Sequence, residues 1–154
     1  MAPVYNPVEA MVEGLKGFPI IIEQALNWGE MDMHGHVNNV WFFRYIENAR
    51  IAYYEAIGKR DYERKTDASF VLASTTCSFK SPLVYPDIVI VGAKVEEILK
   101  DRTIMGYRLI GKKHNRIAAE AQATLVSFDY AKNRKIRFPE ALRQRIGDLE
   151  GKAF

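Results

Sequence analysis

Apolar residues follow two different periods along the chain, and the change of period predicts the order of the elements. Residues 18–26 are apolar, rich in β-branched side chains and bounded by Gly17 and Gly29, which predicts a buried strand. In residues 40–57 the apolar positions step by four, three, four and three, which predicts an amphipathic helix. Asn38 or Asn39 can cap the start of this helix and Gly58 can end it, which gives a rod of roughly 27 Å.

The chain is strand-like from there to about residue 128. Residues 70–79, 88–95, 103–110 and 117–128 are rich in Val, Ile, Thr and aromatic side chains, and short turns separate them. Strands joined so briefly pair as antiparallel hairpins. Two of them are long for globular strands, so we expect the sheet to curve. The charged segment 61–67 is interpreted as a connection.

After Pro139, apolar residues at positions 142, 146 and 149 predict a short C-terminal helix. The predicted fold class is therefore α+β, with a curved antiparallel sheet wrapped around one long central helix. The length of 154 residues fits a single domain over residues 1–154, with an N-terminal extension at 1–16 and the tail helix at 138–154.

Cysteine usage and hydropathy bear on the compartment. The single cysteine, Cys77, has no internal disulfide partner and is interpreted as a small buried apolar residue. Neither a signal peptide pattern nor an apolar stretch of membrane-spanning length is found. We therefore expect a cytoplasmic protein without a membrane partner.

Charge limits the possible partners. The balance of 22 Lys and Arg against 19 Asp and Glu gives a net charge of +3, and the excess lies late in the chain. This excess is small and no nucleic-acid-reading element accompanies it, so we expect no nucleic-acid partner. The late basic groups fit either a phosphorylated small molecule or a surface that keeps the protein soluble.

Polar functional groups crowd into one turn, residues 28–40, between the first strand and the helix. Asp32 supplies a carboxylate just before the helix, whose first turn has unpaired N–H groups and a partial positive charge. Gly35 lets a ligand approach the main chain closely. Imidazoles and carboxamides follow at His34, His36, Asn38 and Asn39. Together these groups match the needs of acyl transfer: a base or nucleophile, a proton carrier and donors for an oxyanion.

Simpler interpretations of the same residues remain open. Asp32 and Asn38 also fit ordinary roles in a turn and a helix cap. His34 and His36 resemble a metal pair, but no third ligand has suitable spacing, so we expect no metal. The aromatic residues of the helix, Trp41 among them, fit packing in the core, and some of them could line an acyl tunnel.

Residues 32–39, Asp-Met-His-Gly-His-Val-Asn-Asn, are followed by Trp-Phe-Phe-Arg-Tyr-Ile-Glu-Asn-Ala-Arg at residues 41–50. This stretch resembles the hotdog-fold acyl-CoA thioesterases of the 4-hydroxybenzoyl-CoA thioesterase type. Residues 81–87, 118–129 and 136–139 also look like parts of that family. The resemblance implies a hotdog fold and hydrolysis of an acyl-CoA, with no cofactor beyond the coenzyme A of the substrate. It further implies a homodimer joined edge to edge with the acyl site at the junction, and a homotetramer if dimers pair again.

The resemblance also implies roles for individual residues. Asp32 is expected to be the catalytic carboxylate, acting as nucleophile or as general base for water, while His36 or Asn38 orients the reacting groups. Backbone N–H groups near Gly35, His36 and Val37 are expected to polarise the thioester carbonyl. The other predicted substrate contacts are Asn39 and Trp41, and those to the phosphates of coenzyme A are Lys80, Lys112, Lys113 and Arg137.

Two alternative functions stay open. The loop is also similar to that of plant-type acyl-carrier-protein thioesterases, which carry Asp-x-Asn-x-His-Val-Asn-Asn. In this chain His34 stands where that group has a catalytic Asn, and Gly35 replaces a Gln. The other alternative is a hotdog module that binds acyl-CoA without turnover.

Overall fold

The computed structural model describes residues 13–154. The predicted N-terminal extension lies outside these residues except at positions 13–16, where Glu13–Leu15 forms a 3-10 turn. Leu15 is buried in a small apolar cluster with Ile90 and Ile110. This short segment therefore packs on the sheet instead of extending away from it.

Within the described residues, six strands form one antiparallel sheet. They are β1 (Ile20–Ala25), β2 (Ala68–Phe79), β3 (Ile88–Ile98), β4 (Arg102–Gly111), β5 (Arg116–Asp129) and β6 (Arg134–Lys135). Their order is β1-β3-β4-β5-β2, and β6 pairs with the end of β5. Among the strands of residues 13–154, β2 pairs only with β5 and forms one edge of the sheet, and β1 forms the other.

Three α-helices accompany the sheet in residues 13–154: α1 (Asn39–Ala56), α2 (Lys59–Lys65) and α3 (Glu140–Glu150). The predicted central helix is confirmed to within one residue at each end. Its apolar stripe is buried in the main core at Phe42, Ile46, Ala49 and Tyr53. Ala56, the last position of the predicted stripe, is exposed. The sheet curls around α1, which confirms the α+β hotdog architecture.

Interruptions in strand pairing accompany the curvature of the sheet. The register shifts between Leu72 and Ser74 in β2, between Val95 and Glu97 in β3, and opposite Leu109 and Ile110 of β4, where the extra residue is Ala118 of β5. Such bulges bend a strand and increase its twist. The two longest strands, β2 with 12 residues and β5 with 14, lie next to each other. One of the three register shifts lies in the pair that these long strands form.

Two elements differ from the sequence prediction. Part of the charged segment 61–67 belongs to α2, because Lys59 pairs with Glu63 one turn later and Glu63 also accepts a hydrogen bond from Ser69. The two-residue strand β6 was not predicted, since it exists only by pairing with β5. The predicted tail helix is confirmed as α3. Pro139 lies at the N-cap position, one residue before the first helical residue.

The ends of the sheet differ in what they carry. Residues 26–38, 80–87 and 112–115 all leave the sheet at one end, here called the loop end, where α1 also begins. The C-terminal half of α1 lies toward the other end, where Tyr53 and the N–H of Val95 both donate to Glu150 of α3. No helix among the described residues is long and apolar enough to cross a membrane.

Candidate active site

The loop that carries Asp32 is a closed turn held by main-chain hydrogen bonds. Met31 and Val37 form an isolated antiparallel bridge, and the N–H of Asp32 donates to the carbonyl of His36 at 2.8 Å. The N–H of Val37 donates to the carbonyl of Leu83, also at 2.8 Å. Gly35 has φ of +72°, a conformation that glycine adopts without strain. The turn therefore fixes the backbone around Asp32 before any ligand is present.

Asp32 itself is half-buried, and only one of its carboxylate oxygens is occupied. Oδ1 accepts from the N–H of His34 at 2.8 Å and from the N–H of His36 at 3.4 Å. Within residues 13–154, Oδ2 accepts no hydrogen bond. The turn thus orients the carboxylate through one oxygen and leaves the other available for chemistry.

The predicted oxyanion donors are mostly engaged elsewhere. The N–H of Gly35 donates to the carbonyl of Asp32 at 3.0 Å, and the N–H of Val37 is bonded to Leu83. The N–H of His36 has a longer bond to Asp32. The N–H of Asn39, at the start of α1, has no acceptor among the described residues. In this conformation, Asn39 rather than Gly35 or Val37 offers a free main-chain donor.

Asn38 caps α1 through its side chain. Its Oδ1 accepts from the N–H of Val40 at 3.0 Å, and its own N–H donates to the carbonyl of Glu30 at 2.9 Å. This confirms Asn38, not Asn39, as the cap residue. Asn38 thereby joins the turn of Asp32 to the helix, and its role in orienting a substrate stays a prediction.

Sequence reasoning missed Glu30, a carboxylate that is only 4% exposed. It accepts from the N–H of Asn27 at 3.0 Å, from Asn27 Nδ2 at 3.1 Å, and from the hydroxyl of fully buried Tyr45 on α1. Burial, with a smaller contribution from Glu30, raises the pKa of Tyr45. The spacing Asn27-x-x-Glu30 is that of a capping box and is the signal that could have identified this residue.

The remaining predicted contacts divide by position. Asn39 is exposed at the start of α1, and Trp41 is partly buried against the core. Lys80, Lys112 and Lys113 lie at the loop end, where Lys112 pairs with Glu23 at 2.8 Å. Arg137, the fourth predicted basic contact, lies at the opposite end of the sheet. Its segment, residues 136–138, donates main-chain hydrogen bonds to the carbonyls of Ser127 and Lys100. In a single chain, three of the four predicted basic residues lie at the same end as Asp32.

A cavity of about 360 Å³ opens at the loop end. It is lined by the 81–87 segment, whose Leu83 carbonyl holds the turn of Asp32, and by Lys113, His114 and Arg116. His114 and Arg116 add an imidazole and a guanidinium that the predicted phosphate contacts did not include. Among the described residues no group of three or more His, Cys, Asp or Glu could hold a metal ion.

Comparison with known proteins gives this fold and site a class. Residues 26–146 match the family model of the thioesterase-like superfamily. The matched region runs from the end of β1 through the turn of Asp32, α1 and the remaining strands into α3. The chain therefore belongs to the thioesterase-like superfamily.

Three known proteins illustrate the similarity. The long-chain acyl-CoA thioesterase FadM of Escherichia coli (strain K12) is 19% identical over 119 residues, which cover 77% of this chain and 90% of that protein. The structure of a thioesterase from Thermus thermophilus, complexed with coenzyme A and Zn, is 29% identical with a TM-score of 0.79 and covers 90% of this chain and 99% of that one. The DHNA-CoA thioesterase of Staphylococcus aureus shares the fold, at 23% identity and a TM-score of 0.73 over 88% of this chain and 96% of that one.

Family membership, the curated acyl-CoA thioesterase and the Thermus thermophilus enzyme together support thioester hydrolysis as the activity of this chain.

Proposed function

We propose that this protein hydrolyses an acyl-CoA thioester to a free carboxylate and coenzyme A, with Asp32 as nucleophile or general base. One observation carries the proposal: two main-chain donors on Oδ1 hold the Asp32 carboxylate in the turn that precedes α1, while Oδ2 remains unpaired within residues 13–154. A carboxylate so placed can attack a carbonyl or take a proton from water.

The start of α1 is suited to stabilising the negative charge that forms on the thioester carbonyl oxygen. As the carbonyl carbon is attacked, negative charge develops on its oxygen, and the free N–H of Asn39 together with the helix dipole can stabilise that charge. The carbon–sulfur bond then breaks, and the thiolate of coenzyme A leaves and takes up a proton. If Asp32 attacked directly, water subsequently hydrolyses the acyl-aspartate anhydride.

We place the coenzyme A moiety in the cavity at the loop end. Lys113 and Arg116 line this cavity, and Lys80 follows β2 beside it. Lys and Arg side chains are suited to the phosphate groups that coenzyme A carries. The cavity is adjacent to the turn of Asp32 through Leu83, so a coenzyme bound there would present its thioester near the carboxylate.

We also propose a homodimer that pairs through β2. This edge strand has 12 residues without a charge, a proline or a glycine, and it exposes Val71, Leu72 and Phe79. A long uncharged edge of this kind favours pairing with another strand. Pairing of two β2 strands would join two sheets and bring the two α1 helices to one side of the joined sheet.

The test is a kinetic screen of thiol release from acyl-CoAs of different chain length and polarity. The proposal predicts catalytic release from at least one of them, and slower release when the same acyl group is carried by an acyl-carrier protein. Tight acyl-CoA binding without product would instead identify a binding module. Preference for the carrier-linked acyl group would assign the protein to the carrier-protein thioesterases.

A further inference from the structure

A second cavity, here called the α1 groove, lies between the central helix and the edge strand β2. Its volume is about 260 Å³, and its lining includes Val40, Phe43, Glu47 and Arg50 of α1 with Leu72 and Thr75 of β2. Val40 is the second residue of α1, so the groove starts beside the turn of Asp32. It follows the helix for ten residues to Arg50, a rise of about 15 Å. An acyl group attached to a thioester at the helix start could therefore lie along it.

Arg50 is a buried cation at the far end of this groove. The residue is 8% exposed, and Nη1 donates one long hydrogen bond of 3.4 Å to the hydroxyl of Tyr107. Within residues 13–154, no carboxylate lies within 4.0 Å of its guanidinium, although nine ion pairs occur elsewhere in that range. A guanidinium has five N–H donors, and a buried charge without a partner is strongly unfavourable. Arg50 therefore lacks an anionic partner among the described residues.

Two tyrosine hydroxyls, those of Tyr54 and Tyr107, are buried near Arg50. The Tyr54 hydroxyl, one turn after Arg50 on α1, is buried and has no hydrogen-bond partner among the described residues. Burial raises the pKa of Tyr54, and it raises the pKa of Tyr107 to about 12 even though Arg50 acts in the opposite direction on both. Both hydroxyls thus remain protonated and able to donate at neutral pH. The Tyr107 hydroxyl accepts from Arg50 and donates to Met105 Sδ at 3.5 Å, so the Arg50 guanidinium and the Tyr54 hydroxyl are the donors left without a carboxylate or other strong acceptor among the described residues.

We propose that Arg50 binds a carboxylate at the distal end of the acyl group, so that the substrates are CoA monothioesters of dicarboxylic acids. This inference rests on the proposed function and names its substrate class. The thioester lies beside Asp32, the chain follows the α1 groove, and the terminal carboxylate meets the guanidinium, whose planar fork matches it. A methyl-terminated chain leaves Arg50 unpaired, so the enzyme discriminates against it.

The experiment compares pairs of acyl-CoAs of equal length, one ending in a carboxylate and one in a methyl group. Chains of about four to ten carbons cover the length of the groove. We expect kcat/KM for the best carboxylate-terminated substrate to exceed that of its methyl-terminated partner at least about tenfold, since a site built for a polar group rejects the analogue lacking it. The absence of any preference in the unmodified protein would overturn the proposal.

Variants separate recognition from packing. Arg50→Met is expected to abolish the preference by lowering kcat/KM for the carboxylate-terminated substrate while the methyl-terminated one changes by less than about threefold. Tyr54→Phe removes only the unpaired hydroxyl and should reduce the preference with little risk to the fold. The exposed Arg64 of α2 provides the control, and Arg64→Met should leave both substrates unaffected. Equal losses on both substrates in Arg50→Met would show a purely structural role and refute the proposal.

Equilibrium binding keeps this test independent of catalysis. If no acyl-CoA is hydrolysed, the proposed function fails, but the carboxylate-terminated acyl-CoA should still bind at least about tenfold more tightly than its methyl-terminated partner. Equal dissociation constants for the two thioesters would contradict the role of Arg50 whether or not the protein is an enzyme.

Discussion

Two carboxylates two residues apart have different surroundings, and the difference separates their roles. Glu30 is buried, and its oxygens are taken up by Asn27 and Tyr45. Asp32 is half-buried and keeps one oxygen unpaired within the described part of the chain. The Glu30 carboxylate is held by Asn27 and Tyr45, and the main-chain carbonyl of Glu30 accepts from the N–H of Asn38, so Glu30 anchors the turn in which Asp32 lies. We therefore interpret Glu30 as a positioning residue.

The first prediction concerns this anchor. Tyr45→Phe removes the hydroxyl that donates to Glu30 and leaves a buried carboxylate short of a donor, so the free energy of unfolding should fall by about 1–3 kcal/mol. Urea denaturation followed by circular dichroism measures the change. Tyr130→Phe is the matched control, because Tyr130 is 63% exposed and should change stability by less than about 0.5 kcal/mol. Equal effects of the two substitutions would contradict the anchoring role.

The turn of Asp32 and the helix cap could be predicted because both depend on neighbouring residues, while the catalytic role of Asp32 stays a prediction. The same turn holds the carboxylate, the glycine and the cap residue within seven positions. Tyr45 lies 15 residues from Glu30, and Tyr107 lies 57 from Arg50. Such contacts exist only after α1 has packed into the sheet, so no local pattern reveals them. The hydrogen bond from the Val37 N–H to the distant Leu83 carbonyl was hidden for the same reason, whereas the Gly35 N–H closes a local turn with Asp32.

At the scale of elements, α1 connects the site to the core. Its start carries the cap and the turn of Asp32, and its apolar stripe fixes it inside the curved sheet. The period of four and three and the cap residue were enough to predict its bounds. The short helix α2 lacked an apolar period, and β6 depended on a partner strand, so neither could be predicted locally.

The cap of α1 leads to a second prediction. Asn38→Ala removes the acceptor for the Val40 N–H and should lower the free energy of unfolding by about 1 kcal/mol, whereas Asn38→Asp keeps an acceptor and should cost less. Asn39→Ala is the control because the Asn39 side chain makes no cap bond. Thermal or chemical denaturation of the three variants tests this order. A larger loss from Asn39→Ala than from Asn38→Ala would contradict the assignment of the cap.

The exposed edge strand β2 is the surface through which we propose that two chains pair. This edge borders the α1 groove through Leu72 and Thr75, so a second chain paired there would also enclose the proposed acyl site. The dimer and the site are therefore coupled in this account. Loss of the dimer should reduce activity as well as change the mass in solution.

The third prediction tests that coupling. Val71→Glu places a charge on the edge strand outside the α1 groove and should shift the protein from dimer to monomer in sedimentation equilibrium, with a fall in kcat/KM. Leu99→Glu is a close control, since Leu99 is 44% exposed against 38% for Val71 but lies in the turn between β3 and β4. A fully active monomer of the unmodified protein would rule out the coupling.

Thiol release by Asp32→Asn tests the catalytic role of Asp32. The amide keeps the size of the side chain but can neither attack nor accept a proton as a carboxylate does, so kcat should fall at least about a hundredfold while circular dichroism stays unchanged. Asp61→Asn, on exposed α2, should retain full activity. Activity of a folded Asp32→Asn variant within about threefold of the unmodified protein would contradict the catalytic role of Asp32.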